Sequence, residues 1–384
     1  VAFLDISTGE FYTAQGSFEY VDKLLNSLNP QEVLVERSKQ QLFHQFFGKK
    51  FYTYLLNDWV FTEDTAYERL LKQFDTTSLK GFGIHEYNYG IVASGAVLQY
   101  LDLTHHDKID HVTKISRIEE ERYVWLDKFT IRNLELFTSI NPNGKTLLDI
   151  IDKTISPMGS RLMRRWLALP LKDIAPIADR LNVVEFFMEN AEIKSDIEKH
   201  IKLIGDLERL VSKIALQRVN PRGVLQLKNA LAALEPIKNA ITSLSKDKKN
   251  ANLHKIAEQL NPCASLKQRI EKELTEEPPG QVNKGNVIAA GVSEELDELR
   301  HIAYSSKDYL AKMQKKQAKI TGINSLKIGF NNVFGYYFEV KNTFKQRVPQ
   351  DWIRKQTLVN AERYINQELK EYEAKILKKK KKIL

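Results

Sequence analysis

Between Ser293 and Ile320 the chain carries one narrow apolar stripe uninterrupted by proline or glycine, and a stretch of that kind folds as a single long helix. Leu296, Leu299, Ile302, Ala303, Ser306, Leu310 and Met313 lie on the stripe. Ser293 stands where an N-cap is wanted, and Glu294 and Glu295 occupy the first turn, where the helix dipole favours carboxylates. Some 28 residues would reach roughly 40 Å. Thr321-Gly322 ends the helix, and strand-like runs follow at residues 325–330 and 334–341, joined by the hairpin signal Asn331-Asn332. After Pro349, residues 357–365 read as another strand, and Leu369, Tyr372, Ile376 and Ile383 then resume helical spacing. The expected object is an arm: a helix going out, a small β module and a helix coming back, the two helices sharing an apolar seam that neither could bury alone.

The module is also where the charge is. Residues 309–366 hold eleven Lys/Arg against three Asp/Glu, whereas the whole chain has a net charge of +9. Residues 1–308 are slightly acidic, and residues 367–384 are basic chiefly through the run from Lys378 to Lys382. A basic cluster of this size fits a polyanion, because neutralising phosphates and releasing their counterions supplies most non-specific nucleic-acid affinity. No apolar run of about 18 residues is present, which argues against membrane insertion. The single cysteine, Cys263, excludes an internal disulfide and a cysteine-based zinc site, so a reducing, cytoplasmic setting is expected. Val1-Ala2-Phe3-Leu4-Asp5 lacks a leader pattern and reads as a cut inside a domain, with a first strand expected to be missing.

The first 115 or so residues mix strands and helices in the manner of an α/β domain. Residues 1–6 and 10–13 flank the turn Ser7-Thr8-Gly9; further strands are expected at 32–35 and 51–56, and helices at 63–74 and 91–103. From Glu119 to Leu274 the pattern is almost wholly helical, with segments at 158–168, 174–189, 193–203 and 207–216. Pro157, Pro170, Pro221, Pro236 and Pro262 are expected at the joints.

Three stretches carry a resemblance. The first is Gly335-Tyr336-Tyr337-Phe338-Glu339-Val340 with Ile353-Arg354-Lys355-Gln356-Thr357-Leu358-Val359-Asn360-Ala361-Glu362-Arg363-Tyr364-Ile365 and Glu368-Leu369-Lys370-Glu371-Tyr372-Glu373. The second is Asn141-Pro142-Asn143-Gly144 to Thr146-Leu147 with Ser156-Pro157-Met158-Gly159-Ser160-Arg161 and Arg164-Arg165-Trp166-Leu167, and the third is Leu4-Asp5-Ile6-Ser7-Thr8-Gly9-Glu10-Phe11. In this order they resemble the MutS family of DNA mismatch repair proteins. The resemblance implies a multi-domain α+β chain: a ribonuclease-H-like α/β connector at residues 1–118, an all-α lever and core with long antiparallel helices at 119–308, a small basic antiparallel β clamp inserted between lever helices at 309–366, and a returning lever helix at 367–384. It further implies backbone contact with double-stranded DNA through the clamp, mechanical coupling through the lever to an ATPase domain, a homodimer in the full-length parent, and docking of a repair partner such as MutL through the connector. ATP and Mg are expected for that parent. No cofactor is expected in this chain, which contains no Gly-x-x-x-x-Gly-Lys-Ser/Thr phosphate loop, and no catalysis is expected of it. The family's mismatch-reading Phe-x-Glu would precede Val1; Phe187-Met188-Glu189 fits its letters but lies in a helical segment and reads as packing.

Within the module, Lys327, Lys341, Arg354, Lys355 and Arg363 are the phosphate-contact candidates, because a sheet or loop sets long cationic side chains against a duplex backbone without reading base edges. Asn360 joins them on the resemblance, as an amide donor. The competing reading is that some of these residues solvate the sheet or pair with Glu339, Asp351 and Glu362. Tyr336, Tyr337 and Trp352 are expected in the module's core rather than stacked on bases. Lys315, Lys316 and Lys319 either extend the phosphate track or solvate a helix face. Asp5 and Glu36, expected on neighbouring strands, are too few for a two-metal nuclease. His105, His106 and His111 are expected to be solvated loop histidines rather than metal ligands.

Overall fold

The computed structural model describes residues 1–106, 108–244, 250–331 and 333–374, with the backbone alone described at 301–307. The chain forms two compact units, Val1–Val219 with Gly223–Gln268, and Asn220–Arg222 with Arg269–Leu384. No helix among the described residues is long and apolar enough to cross a membrane.

The first unit opens with β1 (Ala2–Asp5) and β2 (Glu10–Thr13), an antiparallel hairpin. Its turn closes because the Asp5 carboxylate accepts the Ser7 amide at 2.8 Å and the Ser7 hydroxyl at 2.7 Å, and because Gly9 takes a φ of 77°. β3 (Val33–Glu36) and β4 (Thr53–Leu56) form a separate parallel pair, and β5 (Ser116–Arg117) adds to β2 in parallel. Asp5 and Glu36 therefore sit in different sheets, contrary to expectation: β2 has one side taken by β1 and the other by β5, which leaves β3 to pair with β4. The helices Glu63–Phe74 and Asn88–Leu103 bury Leu70 and Leu98 completely. Gly95 permits their close approach, since a Cβ there would run into Ala66.

The helical remainder follows the sequence reading closely at Pro157–Ala168, Ile174–Glu189, Ala191–Ile204 and Leu207–Ala215. Ser156 caps the first of these by accepting the Gly159 amide at 3.1 Å, and Pro157 fills the position where no amide is needed. Pro236 departs from expectation, lying inside the helix Pro221–Thr242 rather than at a joint. Burial of Ala230, Ala233, Ile237 and Ile241 carries that helix through the missing amide. His111 is also not the solvated residue expected. It is half-buried, with Nε2 2.8 Å from the Ile6 carbonyl, whereas His105 and His106 are exposed.

In the second unit, the helix Glu294–Thr321 starts at Ser293, whose hydroxyl accepts the Leu296 amide at 3.3 Å, and stops at Gly322 with a φ of 65°. β6 (Lys327–Asn331), β7 (Gly335–Lys341), β8 (Ile353–Thr357) and β9 (Ala361–Ile365) form an antiparallel sheet of order β6-β7-β9-β8. The single strand expected over residues 357–365 is instead the β8–β9 hairpin, tightened by the Leu358 amide on the Ala361 carbonyl at 2.8 Å. One face of the sheet is apolar: Phe338, Val340 and Tyr364 pack with Leu326 and Trp352 against Met313 of the long helix and Leu369 of a helix that begins at Gln367. Tyr309 stacks on Tyr372 at 4.1 Å and Lys316 pairs with Glu368 at 3.1 Å, so the two helices run antiparallel along a seam, as expected. Ile376, Ile383 and the run from Lys378 to Lys382 lie outside the described residues, as do the side chains of Ile302, Ala303 and Ser306.

One carboxylate is held inside this unit. Glu362 is 2% exposed and receives Lys345 Nζ at 2.7 Å, Arg354 Nη1 at 3.4 Å and the Tyr364 hydroxyl. The Lys345 and Tyr364 hydrogen bonds hold it below its ordinary value of 4.5, while burial and the neighbouring carboxylate push Tyr364 up to about 12.

Phe338 is fully buried and stacked on Trp352 at 4.4 Å. Phe338→Ala should therefore cost about 3–5 kcal/mol in chemical denaturation, whereas Val333→Ala, at a side chain 90% exposed, should stay within about 0.5 kcal/mol. A folded-state value below the unfolded one means that Glu362 contributes stability at neutral pH that is lost as pH falls from about 4.5 through its folded value. Glu362→Gln should accordingly flatten the acid limb of the stability profile, and an unchanged limb would show that the carboxylate is not linked to folding.

Candidate nucleic-acid interface

Strand alternation sorts the candidate cations onto faces. The register places Lys327, Glu339, Arg363 and Gln356 in one row across all four strands. Tyr337 and Lys341 share that face with Glu339, while Phe338 and Val340 point the other way into the core. The row is internally bonded: Arg363 Nε lies 3.3 Å from Glu339, Nη1 lies 2.9 Å from Gln356, and the guanidinium covers the Tyr337 ring at 4.3 Å. Its side chain is only 19% exposed. Arg354 lies on the opposite face, where it shares Glu362 with Lys345. The two arginines thus spend much of their charge on carboxylates within the sheet.

The lysines do not. Lys327 and Lys341 are exposed and have no partner among the described residues. Lys355 is the extra residue of a bulge between Arg354 and Gln356, a device that turns a side chain off the regular pleat, and it too is exposed and unpaired. Asn360 lies in the β8–β9 turn with its amide free; its own carbonyl accepts the Asn342 amide at 3.2 Å, and Asn342 Nδ2 donates to the Val359 carbonyl at 2.9 Å.

Three of these groups gather at one end of the sheet. Lys341 pairs with Ala361, directly after the turn bearing Asn360, and Lys327 begins β6 opposite Glu339, two residues from Lys341. The other end, at Gly335, lies beside Glu373 of the returning helix. The Lys341 end therefore points beyond the helix pair, where Arg347 Nη1 donates to the Gly322 carbonyl at 3.1 Å. Arg347 and Lys345, on the 3-10 turn Asn342–Arg347, were not singled out by the sequence; no periodicity distinguishes them, and only the fold brings them to Gly322 and Glu362.

Lys316 is paired with Glu368, and Lys315 and Lys319 lie opposite the helix face that packs on the core, marked by Met313, Gln317 and Thr321. The sheet's cationic row also faces away from that core, on its far side. Helix and sheet cations therefore look in opposite directions, and the helix lysines do not continue the sheet's track. Trp352 is buried in the module's core and Tyr336 packs against it partly buried, as expected, whereas Tyr337 is buried on the opposite, cationic face beneath the Arg363 guanidinium rather than in that core. In the first unit, Phe187 packs in the helical core while Met188 is 78% exposed. Gly144-Lys145-Thr146 has the last letters of a phosphate loop, but Ser139 stands where its first glycine would be, and the Thr146 hydroxyl caps a short helix by accepting the Asp149 amide at 3.1 Å. No group of three metal-ligating side chains gathers among the described residues.

Comparison with known proteins gives two family models in chain order, MutS domain II over residues 1–115 and MutS domain III over residues 129–382. Over all 384 residues the chain is 60% identical to the DNA mismatch repair protein MutS of Phocaeicola vulgatus and 59% identical to that of Bacteroides thetaiotaomicron, covering 44% of each. It is 53% identical to the protein of that name from Flavobacterium johnsoniae over 383 residues, again covering 44% of the relative. The chain thus spans less than half the length of these relatives, yet matches them from one of its ends to the other. With both domain models satisfied in order, the chain belongs to the MutS family.

Proposed function

We propose that this chain serves DNA mismatch repair by gripping the sugar-phosphate backbone of duplex DNA, without regard to base sequence, through the distal end of the β6–β9 sheet. The observation that carries the reading is the group Lys327, Lys341, Lys355 and Asn360, exposed and unpaired on a sheet placed at the end of two antiparallel helices. Unpaired lysines on a rigid strand suit phosphates, because each neutralised phosphate releases counterions. In this reading Arg354 and Arg363, though candidates for the same contact, act first as braces through Glu362 and Glu339.

The helices act as a lever between this clamp and an ATPase domain of a longer protein, in which ATP and Mg are bound and two copies close around the duplex. Residues 1–118 form a ribonuclease-H-like connector that receives a repair partner such as MutL, and the work is cytoplasmic. What supports these finer assignments is membership of the MutS family together with the helix-borne sheet.

A fluorescently labelled short duplex titrated with the full chain at increasing salt tests the clamp assignment. Weak binding that falls steeply with salt is expected, and Lys327→Gln and Lys341→Gln should each weaken it uniformly across sequences and lower the log–log salt slope by about one. Arg363→Gln should change the slope less than either. A titration indifferent to salt, or lysine variants that bind as the parent does, would remove the clamp as the DNA contact.

A further inference from the structure

Residues 37–57 contain Arg37, Lys39, Lys49 and Lys50 and no Asp or Glu, together with Phe43, Phe46, Phe47, Phe51, Tyr52 and Tyr54. At the centre of this segment the helix Gln40–Phe47 buries none of its residues, although Leu42, Phe43, Phe46 and Phe47 are spaced to form one apolar ridge. The ridge is ordered by ring contacts. Phe46 stacks on Phe18 at 3.9 Å with an interplanar angle of 8°, and Phe43 meets Phe47 at 4.9 Å and Phe51 at 6.5 Å. Even so, Leu42 and Phe46 remain 44% exposed and Phe18 47%. Isolated exposed apolar residues need no explanation, but a contiguous, pre-ordered group with unpaired cations at its border is the signature of a docking surface. The nearby carboxylates of Asp22 and Glu36 act on Lys50 and Lys39 rather than on Arg37 or Lys49.

The charge says what docks. Lys39 is engaged by Glu36 and Lys50 by Asn26, whereas Arg37 and Lys49 are exposed and unpaired among the described residues. We propose that this ridge docks an acidic peptide segment of a protein partner, which lays apolar side chains over Phe18, Leu42 and Phe46 and carboxylates against Arg37 and Lys49. Aromatic rings beside lysines also suit single-stranded nucleic acid, where bases stack on open ring faces. Here Phe18 and Phe46 each have one face covered by the other, and Phe43 meets Phe47 and Phe51 at interplanar angles of 46° and 65°. The group therefore offers an uneven ridge of edges and single faces that suits aliphatic and aromatic side chains better than a run of stacked bases. The surface belongs to the first unit and is independent of the clamp reading.

Short random peptides displayed on phage, selected on the full chain and then measured by fluorescence polarisation, provide the test, with an oligothymidine as the nucleic-acid probe. Recovered peptides should combine Asp or Glu with Leu, Phe or Trp, and both Phe46→Asp and the double variant Arg37→Glu/Lys49→Glu should weaken them by about tenfold or more. The charge variant changes only exposed side chains, so its melting temperature should match the parent's and its loss of binding cannot be laid to unfolding. Lys327→Gln should leave peptide binding unchanged. Selection that recovers no peptide, peptides that are basic or indifferent to the charge variant, or oligothymidine binding that is lost with Phe46→Asp would each overturn the proposal.

Discussion

The second unit depends on one apolar layer. Four strands with a cationic outer face cannot stand alone in water, because a small sheet is stable only when its other face is covered. Phe338 stacked on Trp352, with Val340 and Tyr364 beside them, supplies that face, and Met313 and Leu369 from the two helices supply the cover. The same contact therefore builds the sheet's core and fixes the sheet to the helix pair. It lets the cations at the Lys341 end project from a rigid mount, so that their positions relative to one another do not have to be recovered from disorder on each encounter with a partner.

Carboxylates within the sheet then decide which cations are available. Sequence composition makes the module uniformly basic, but Glu339 and Glu362 each bind arginine, and Glu362 binds Lys345 as well. These pairs cross strands and tie β8 and the 3-10 turn to β9, so they brace the sheet while reducing its usable charge. The three lysines left over lie on a strand start, a strand end and a bulge. None is paired with a carboxylate among the described residues, since Glu339, which stands opposite Lys327, is taken by Arg363, and their charge therefore remains free to attract a polyanion.

Much of this was legible from the sequence for identifiable reasons. The long helix is announced by Ser293 and by a stripe without Gly or Pro, and the β1–β2 turn by Ser7-Thr8-Gly9, because caps and turns depend on local chemistry. The β8–β9 turn was not legible: Leu358-Val359-Asn360 contains neither Gly nor Pro, and Val359 resembles a strand residue although it is 92% exposed. Pro236 misled for the opposite reason, since burial of its neighbours outweighs a local rule. The candidate cations could be chosen from sequence as a group but not ranked, because pairing depends on strand register across a hairpin that the sequence concealed. The apolar ridge at Gln40–Phe47 was likewise hidden, since a run of phenylalanines reads as core until its exposure is seen.

Amide hydrogen exchange of the full chain, free and saturated with a short DNA duplex at low salt, tests the central claim most directly. The account predicts slowed exchange confined to the distal end of the sheet, at Lys341, Asn342 and the Leu358-Val359-Asn360 turn, with the helix segment bearing Lys315 and Lys319 unaffected. Protection along that helix or within the first unit, with the β8–β9 turn exchanging as freely as before, would contradict it.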